Sequence, residues 1–293
     1  MLTWTTTRAA RRLSLRAVPA SEHDALRLPP REQQGALSSP AGLAVRPWLS
    51  RLRRALQEDL FVLHYQPILS LGDGQISHYE ALLRLADEPG GGLVAPGRFL
   101  PAAERHGLIR QIDRMVLGKV IGLLGGELAE RDIRVAVNIS ALSVTDEGLL
   151  AHLRDALAGN RVDPTRVVIE VTETAGISDM TRARAFCAGA QALGCAVALD
   201  DFGAGFGSFQ YLKHLPFSYL KIDGDFIRAL PASRTDQLVV KALVDVVRGM
   251  GRETIAEFVG DQRTLAMLRS YGVDYAQGFL VGRPGPRLPE PVA

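Results

Sequence analysis

Short runs of apolar and β-branched residues recur along this chain, each separated from the next by a longer stretch with helical spacing, and this alternation limits the fold more than any other feature. The runs are Phe61–Ile68, Ile76–Leu85, Arg134–Ile139, Val167–Thr172, Ala196–Asp200, Tyr219–Ile222, Thr254–Ala256 and Asp274–Gln277. A strand buried on both faces reads as a continuous apolar run, which is the pattern of a parallel sheet. Helical patterns lie near Gly97–His106, Ile112–Leu124, Glu147–Ala158, Thr181–Leu193, Ser208–His214, Asp236–Gly249 and Gln262–Tyr271. Strands alternating with helices imply an α/β fold. About eight strands over roughly 230 residues suit a closed (β/α)8 barrel of the TIM type better than an open sheet. The first two strands are joined by Ser70-Leu71-Gly72-Asp73-Gly74-Gln75 alone, and Asp73-Gly74 is a hairpin turn signal. The expectation is a modified TIM (β/α)8 barrel with one antiparallel strand near the start.

Composition sets the surroundings of that barrel. No apolar run in the 293 residues reaches the roughly 18–20 needed to span a bilayer. The N-terminal arginines Arg8, Arg11, Arg12 and Arg16 are not followed by a signal-peptide apolar stretch, so a cytoplasmic location is expected. Residues 1–54 hold ten arginines and three acids, a charge of +7, so a net charge of +2 leaves −5 on the remainder. Residues 1–45, rich in Arg, Ser, Pro and Ala without a sustained period, are expected to form a disordered basic arm. An amphipathic helix over Trp48–Glu58 leads into a barrel spanning 46–287, and 288–293 form a tail. The arm could touch an anionic surface, but no recognised nucleic-acid-binding fold stands behind it. Cys187 and Cys195 lie in no metal-binding or redox motif and read as small buried residues.

Several strands end in polar groups where a barrel strand should stay apolar. Val135-Ala136-Val137 ends at Asn138, Val167-Val168-Ile169 at Glu170 with Glu173 beyond, and Ala196–Leu199 at Asp200-Asp201. Lys221 interrupts Tyr219–Asp223, Glu257 follows Ile255-Ala256, Gln277 follows Tyr275-Ala276, and Glu80 sits inside the second strand. The C-terminal strand ends of such a barrel converge on one mouth, where active sites form. Ionised carboxylates gathered there need compensation, and one lysine cannot balance five. Divalent cations supply it, and a ligand set rich in oxygen favours Mg2+ or Mn2+ over zinc. A lone acid at a strand end is usually a helix cap; six polar strand ends in register are not explained in that way.

The run Glu80-Ala81-Leu82-Leu83-Arg84 resembles the signature of the EAL-domain cyclic di-GMP phosphodiesterases. Tyr65-Gln66-Pro67-Ile68, Val137-Asn138-Ile139-Ser140, Glu170-Val171-Thr172-Glu173, Asp200-Asp201-Phe202-Gly203-Ala204-Gly205-Phe206, Leu220-Lys221-Ile222-Asp223, Ala256-Glu257-Phe258-Val259 and Gln277-Gly278-Phe279 resemble that family's motifs in order, over about residues 50–285. The resemblance implies hydrolysis of cyclic di-GMP to linear pGpG by a homodimer using two divalent metal ions. Glu80, Asn138, Glu170 and Asp200 would hold one ion, and Asp200, Asp201 and Glu257 the second. Lys221 would contact the attacking water or the phosphate, and Glu173 would brace the Asp200-Asp201-Phe202-Gly203 loop. Gln66, Arg84 and Gln277 would help bind the dinucleotide.

Two positions depart from the family pattern. Gly260 stands where many members have a second glutamate, and Gly207 where serine is common. A catalytically silent cyclic di-GMP receptor is the alternative function. Silent members usually lose metal ligands, whereas every matching ligand position is kept here.

Overall fold

The structure is a computed structural model that describes residues 40–86, 92–172, 179–203 and 208–288. Of the arm expected over residues 1–45, residues 1–39 fall outside these, as do Glu173, Gly207 and the end of the tail, while residues 40–45 are helical and not the disordered chain expected. The strands are β1 (Phe61–Ser70), β2 (Ile76–Ala86), β3 (Leu93–Val94), β4 (Val135–Ile139), β5 (Val167–Thr172), β6 (Ala196–Phe202), β7 (Tyr219–Ile222), β8 (Glu253–Ala256) and β9 (Tyr275–Gln277). The helices are α1 (Pro40–Gln57), α2 (Leu100–Arg105), α3 (Ile109–Gly125), α4 (Ala141–Val144), α5 (Glu147–Asn160), α6 (Met180–Ala192), α7 (Ser208–His214), α8 (Gly224–Arg228), α9 (Arg234–Gly249) and α10 (Gln262–Tyr271). None among the described residues is long and apolar enough to cross a membrane.

The sheet closes into an eight-stranded ring of β1, β2, β4, β5, β6, β7, β8 and β9, with β3 appended to β2. Every pairing from β2 round to β9 is parallel, while β1 is antiparallel to both β2 and β9. The antiparallel strand expected from the Asp73-Gly74 turn is therefore β1, and Gly74 takes the positive φ of 74° that this turn requires.

Side chains alternate across each strand, so residues two apart share the barrel interior. Ile68, Ala136, Val168, Ala198, Tyr219 and Ile255 form one apolar layer there. Two residues further towards the mouth come, in the same order, Gln66, Asn138, Glu170, Asp200, Lys221 and Glu257. The opposite strand faces pack on the helices in a second, larger core. Side-chain caps begin several helices after the strands: Ser140 accepts from Ser143 N, Asp223 from Asp225 N, and Asp261 from Thr264 N. Each cap satisfies a backbone N–H that would otherwise lack a partner.

Three differences from the sequence pattern have physical causes. The helix expected from Trp48 begins at Pro40 and runs through Pro47, a residue whose missing N–H normally marks a helix start. The helix expected over Gly97–His106 is split at Phe99, because Pro101 begins a new helix after a 3-10 turn at Pro96–Arg98. The short elements β3, α4 and α8 have too few residues for a period to show.

A histidine also faces the apolar layer. His78 is buried, with its ring 5.6 Å from that of Tyr219 and 5.7 Å from that of Tyr275. Burial, helped by the Lys221 charge, pulls its pKa from 6.5 down to about 3. Between those values the unfolded chain takes up a proton that the folded barrel refuses, so this group favours unfolding increasingly as pH falls from 6.5 towards about 3. A His78→Phe variant should lose less stability than the unaltered chain between pH 6.5 and pH 4, as measured by urea unfolding at each pH.

Candidate active site

Eight polar side chains from eight strands meet above the apolar layer. Lys221, on β7, is fully buried at their centre. Its Nζ donates to Glu170 Oε2 at 2.9 Å and to Glu80 Oε2 at 3.4 Å. Asp200 Oδ1 and Glu257 Oε1 each lie 2.9 Å from the same ammonium. Burial alone would lower the lysine pKa, but Asp200, Glu170, Glu257 and Glu80 together raise it well above its ordinary value, so it stays charged.

The amides complete the ring. Gln277 Nε2 donates to Glu80 Oε2 at 2.6 Å and to Gln66 Oε1 at 3.2 Å. Gln66 Nε2 donates to the Gly282 carbonyl at 3.1 Å, and Asn138 Nδ2 to Glu80 Oε1 at 2.6 Å. Glu80 loses solvation on burial, but Lys221 and these hydrogen bonds outweigh that and hold its pKa below the usual value. The other acids are less compensated. Burial, reinforced by the neighbouring Asp200, pushes Glu257 up to about 8 and Asp201 up to about 6. Burial and the Glu80 charge raise Glu170 well above its ordinary value.

Asp113, on α3, fixes one strand end from outside. Its Oδ2 accepts from Ser140 N at 3.0 Å and from Ser140 Oγ at 2.6 Å, which anchors the turn after Asn138.

A local irregularity brings in Asp201. Consecutive strand residues normally face opposite sides of a sheet. The β6–β7 register shifts between Leu199 and Phe202, and Asp201 has a φ of 55°. This bulge turns Asp201 towards the same mouth as Asp200, and both line the cavity there.

Whether cations suit this ring can be judged from its own atoms. Oxygens of Asp200, Asp201 and Glu257 lie within 4.8 Å of one another. Glu170 Oε1 is buried with no hydrogen-bond partner, and Asp200 Oδ1 meets only the Lys221 ammonium. Four acids surround a single ammonium, so negative charge is in excess. Hard oxygen donors with unused lone pairs and surplus charge fit divalent cations.

The mouth holds a cavity of about 710 Å3, within the usual range for small-molecule sites. Of the expected residues, Gln66, Glu80, Arg84, Asp200, Asp201, Lys221, Glu257 and Gln277 line it. Asn138 and Glu170 join it through the hydrogen bonds above, and Glu173 lies outside the described residues. Arg84 sits above the ring and donates to the Leu83 carbonyl at 2.8 Å. Gly260 also lines the cavity. Phe258 and Phe279, which stand inside two of the matching motifs but were given no role, also line it, and so does Arg283, which no motif contains. They lie within two residues of Glu257 or within six of Gln277, and that proximity is the clue the sequence offers to a role at the site. Their exposure is a property of the fold.

A family model described as EAL domain matches residues 49–284. The chain belongs to the EAL domain family. Cyclic di-GMP phosphodiesterase PdeB of Shewanella oneidensis is 38% identical over 241 residues, covering 82% of this chain and 28% of that protein. MucR of Pseudomonas aeruginosa, described as a bifunctional diguanylate cyclase/cyclic di-GMP phosphodiesterase, is 39% identical over 243 residues, covering 81% of this chain and 35% of that protein. The chain thus spans about a third of the length of these curated relatives. The solved structure of the MucR phosphodiesterase in complex with c-di-GMP matches with a TM-score of 0.76 at 38% identity, covering 82% of this chain and 98% of that one. The EAL domain of Xanthomonas citri FimX, solved with c-diGMP, matches with a TM-score of 0.78 at 32% identity, covering 87% and 99%.

Proposed function

We propose that this EAL domain hydrolyses cyclic di-GMP to linear pGpG in the cytoplasm, using two divalent cations, Mg2+ or Mn2+. The observation that carries the proposal is the barrel-mouth ring in which Glu80, Glu170, Asp200 and Glu257 share one lysine and the buried Glu170 Oε1 is left without a hydrogen-bond partner. Family relatives described as cyclic di-GMP phosphodiesterases support the substrate and the reaction.

A phosphodiester is an anion, and a ring of carboxylates alone would repel it. When bound, two cations would supply positive charge to offset that of the phosphate and Lewis acidity to activate a water and stabilise the leaving oxygen. Glu80, Asn138, Glu170 and Asp200 would hold one, and Asp200, Asp201 and Glu257 the other. Lys221 keeps its proton and so supplies fixed positive charge where negative charge develops on the phosphate. Arg84, higher in the cavity, offers a planar fork to a phosphate oxygen pair. Gln66 and Gln277 fix each other and Glu80, which keeps the polar floor in one arrangement. Glu173 is assigned to bracing the loop after Asp201.

Purified protein with cyclic di-GMP and Mg2+ or Mn2+ should release linear pGpG, followed by chromatography. The product should vanish with a chelator and fall by at least a hundredfold in Glu80→Ala. Tight binding without turnover would instead identify a silent receptor.

The acting unit is proposed to be a homodimer. Leu238, Ala242, Val246 and Met250 are exposed at four-residue spacing along α9 and just past its end, which places them on one side of the helix. Two copies packed antiparallel about the small Ala242 would set Leu238 against Val246 and bring Lys241 near Asp245, a self-complementary arrangement. Sedimentation at micromolar concentration should give twice the chain mass, and Leu238→Glu with Val246→Glu should give the single-chain mass.

A further inference from the structure

Phe258 sits in a backbone conformation that its side chain opposes. Its φ is 53°, in the left-handed region, where a bulky residue is a steric outlier. Its ring is 57% exposed, so burial does not repay the strain. Backbone strain of this kind persists where surrounding structure enforces it, and it concentrates at functional sites. Several neighbours enforce it here. Val259 N donates to the Gln277 carbonyl at 2.9 Å, and Leu280 N donates to the Val259 carbonyl at 3.1 Å. Gly278 lies so close to Val259 that a Cβ on it would overlap the Val259 backbone. Gly224 packs against the ring edge, with no room for a side chain of its own.

The ring is also oriented. The Arg228 guanidinium lies over it, 4.3 Å from the centroid, and pairs with Asp225. Phe258 lines the cavity above the acid ring and Arg228 does not. We take the arginine, absent from the cavity lining, to cover the ring face turned away from the cavity, which leaves the other face for a ligand. Glu257, the adjacent residue, contacts Lys221 in the acid ring.

We propose that Phe258 is a stacking platform for one purine base of the cyclic dinucleotide, and that it determines affinity for that substrate by setting the base beside the carboxylates that meet the phosphate. This rests on the proposed phosphodiesterase reaction. Stacking needs a π face at a fixed height and tolerates any purine. A cation on the rear face holds the platform flat without competing for the front.

The test compares Phe258→Ala, Phe258→Gly, Phe258→Leu and Phe258→Trp in the whole chain with Mg2+ and cyclic di-GMP. Loss of stacking should raise KM about five- to a hundred-fold in the Ala, Gly and Leu variants, with the smaller part of the effect on kcat. Phe258→Trp should restore KM, and its added fluorescence should be quenched by cyclic di-GMP. Phe258→Gly relieves the left-handed strain, so its melting temperature should match or exceed that of the unaltered chain while its KM rises. A merely structural Phe258 would show the reverse, a lower melting temperature with unchanged KM, and that would overturn the platform. An unaltered chain that neither binds nor cleaves cyclic di-GMP would overturn both the platform and the reaction; an active chain whose Ala, Gly and Leu variants keep their KM would overturn the platform alone.

Discussion

A single ammonium group organises the centre of this molecule. Lys221 Nζ lies within 3.4 Å of four carboxylates drawn from β2, β5, β6 and the residue after β8. Like charges so close would drive those strand ends apart, or force protons onto the acids, if the lysine were absent. One charge on four is enough to let the barrel close, but it does not neutralise the ring. What remains is a negative, preorganised mouth suited to cations, and through them to an anionic substrate. The alternation of side chains puts this charged layer directly above an apolar one, so the strands that are sealed below are reactive above.

The mouth depends on two backbone irregularities as much as on the ring. Asp201 reaches the cavity because β6 bulges and places that residue at positive φ. Phe258 reaches it because the segment after β8 is pinned to the turn after β9. Both are non-glycine residues in the left-handed region, and both directly follow a ring carboxylate, Asp200 or Glu257. The chain therefore turns sharply just after the acids that sit deepest, and this brings a second acid and an aromatic face to the same opening.

Much of this was legible in the sequence for a definite reason. Strands of a closed parallel barrel must be apolar, so a charged or amide residue within or at the end of such a run is conspicuous, and Glu80, Asn138, Glu170, Asp200, Lys221, Glu257 and Gln277 all showed themselves in that way. The antiparallel β1 was legible because a strand joined by Asp73-Gly74 has no room for a crossover helix. Elements set by tertiary contacts were not legible. The early start of α1 ignores a proline, and β3 has two residues, too few for any period. Phe258 and Phe279 stood inside matching motifs, but their exposure at the cavity, like that of Arg283, is set by the fold and not by any residue pattern.

The most direct test of Lys221 as the organising charge is urea unfolding of Lys221→Met beside the unaltered chain, at pH 7, without and with Mn2+. Removing one partner of a buried ion cluster costs about 3–5 kcal/mol, so the variant should unfold at markedly lower urea without metal, and Mn2+ should stabilise it more than it stabilises the unaltered chain. Equal unfolding midpoints without metal would show that the carboxylates do not depend on Lys221 and would contradict this account of the site.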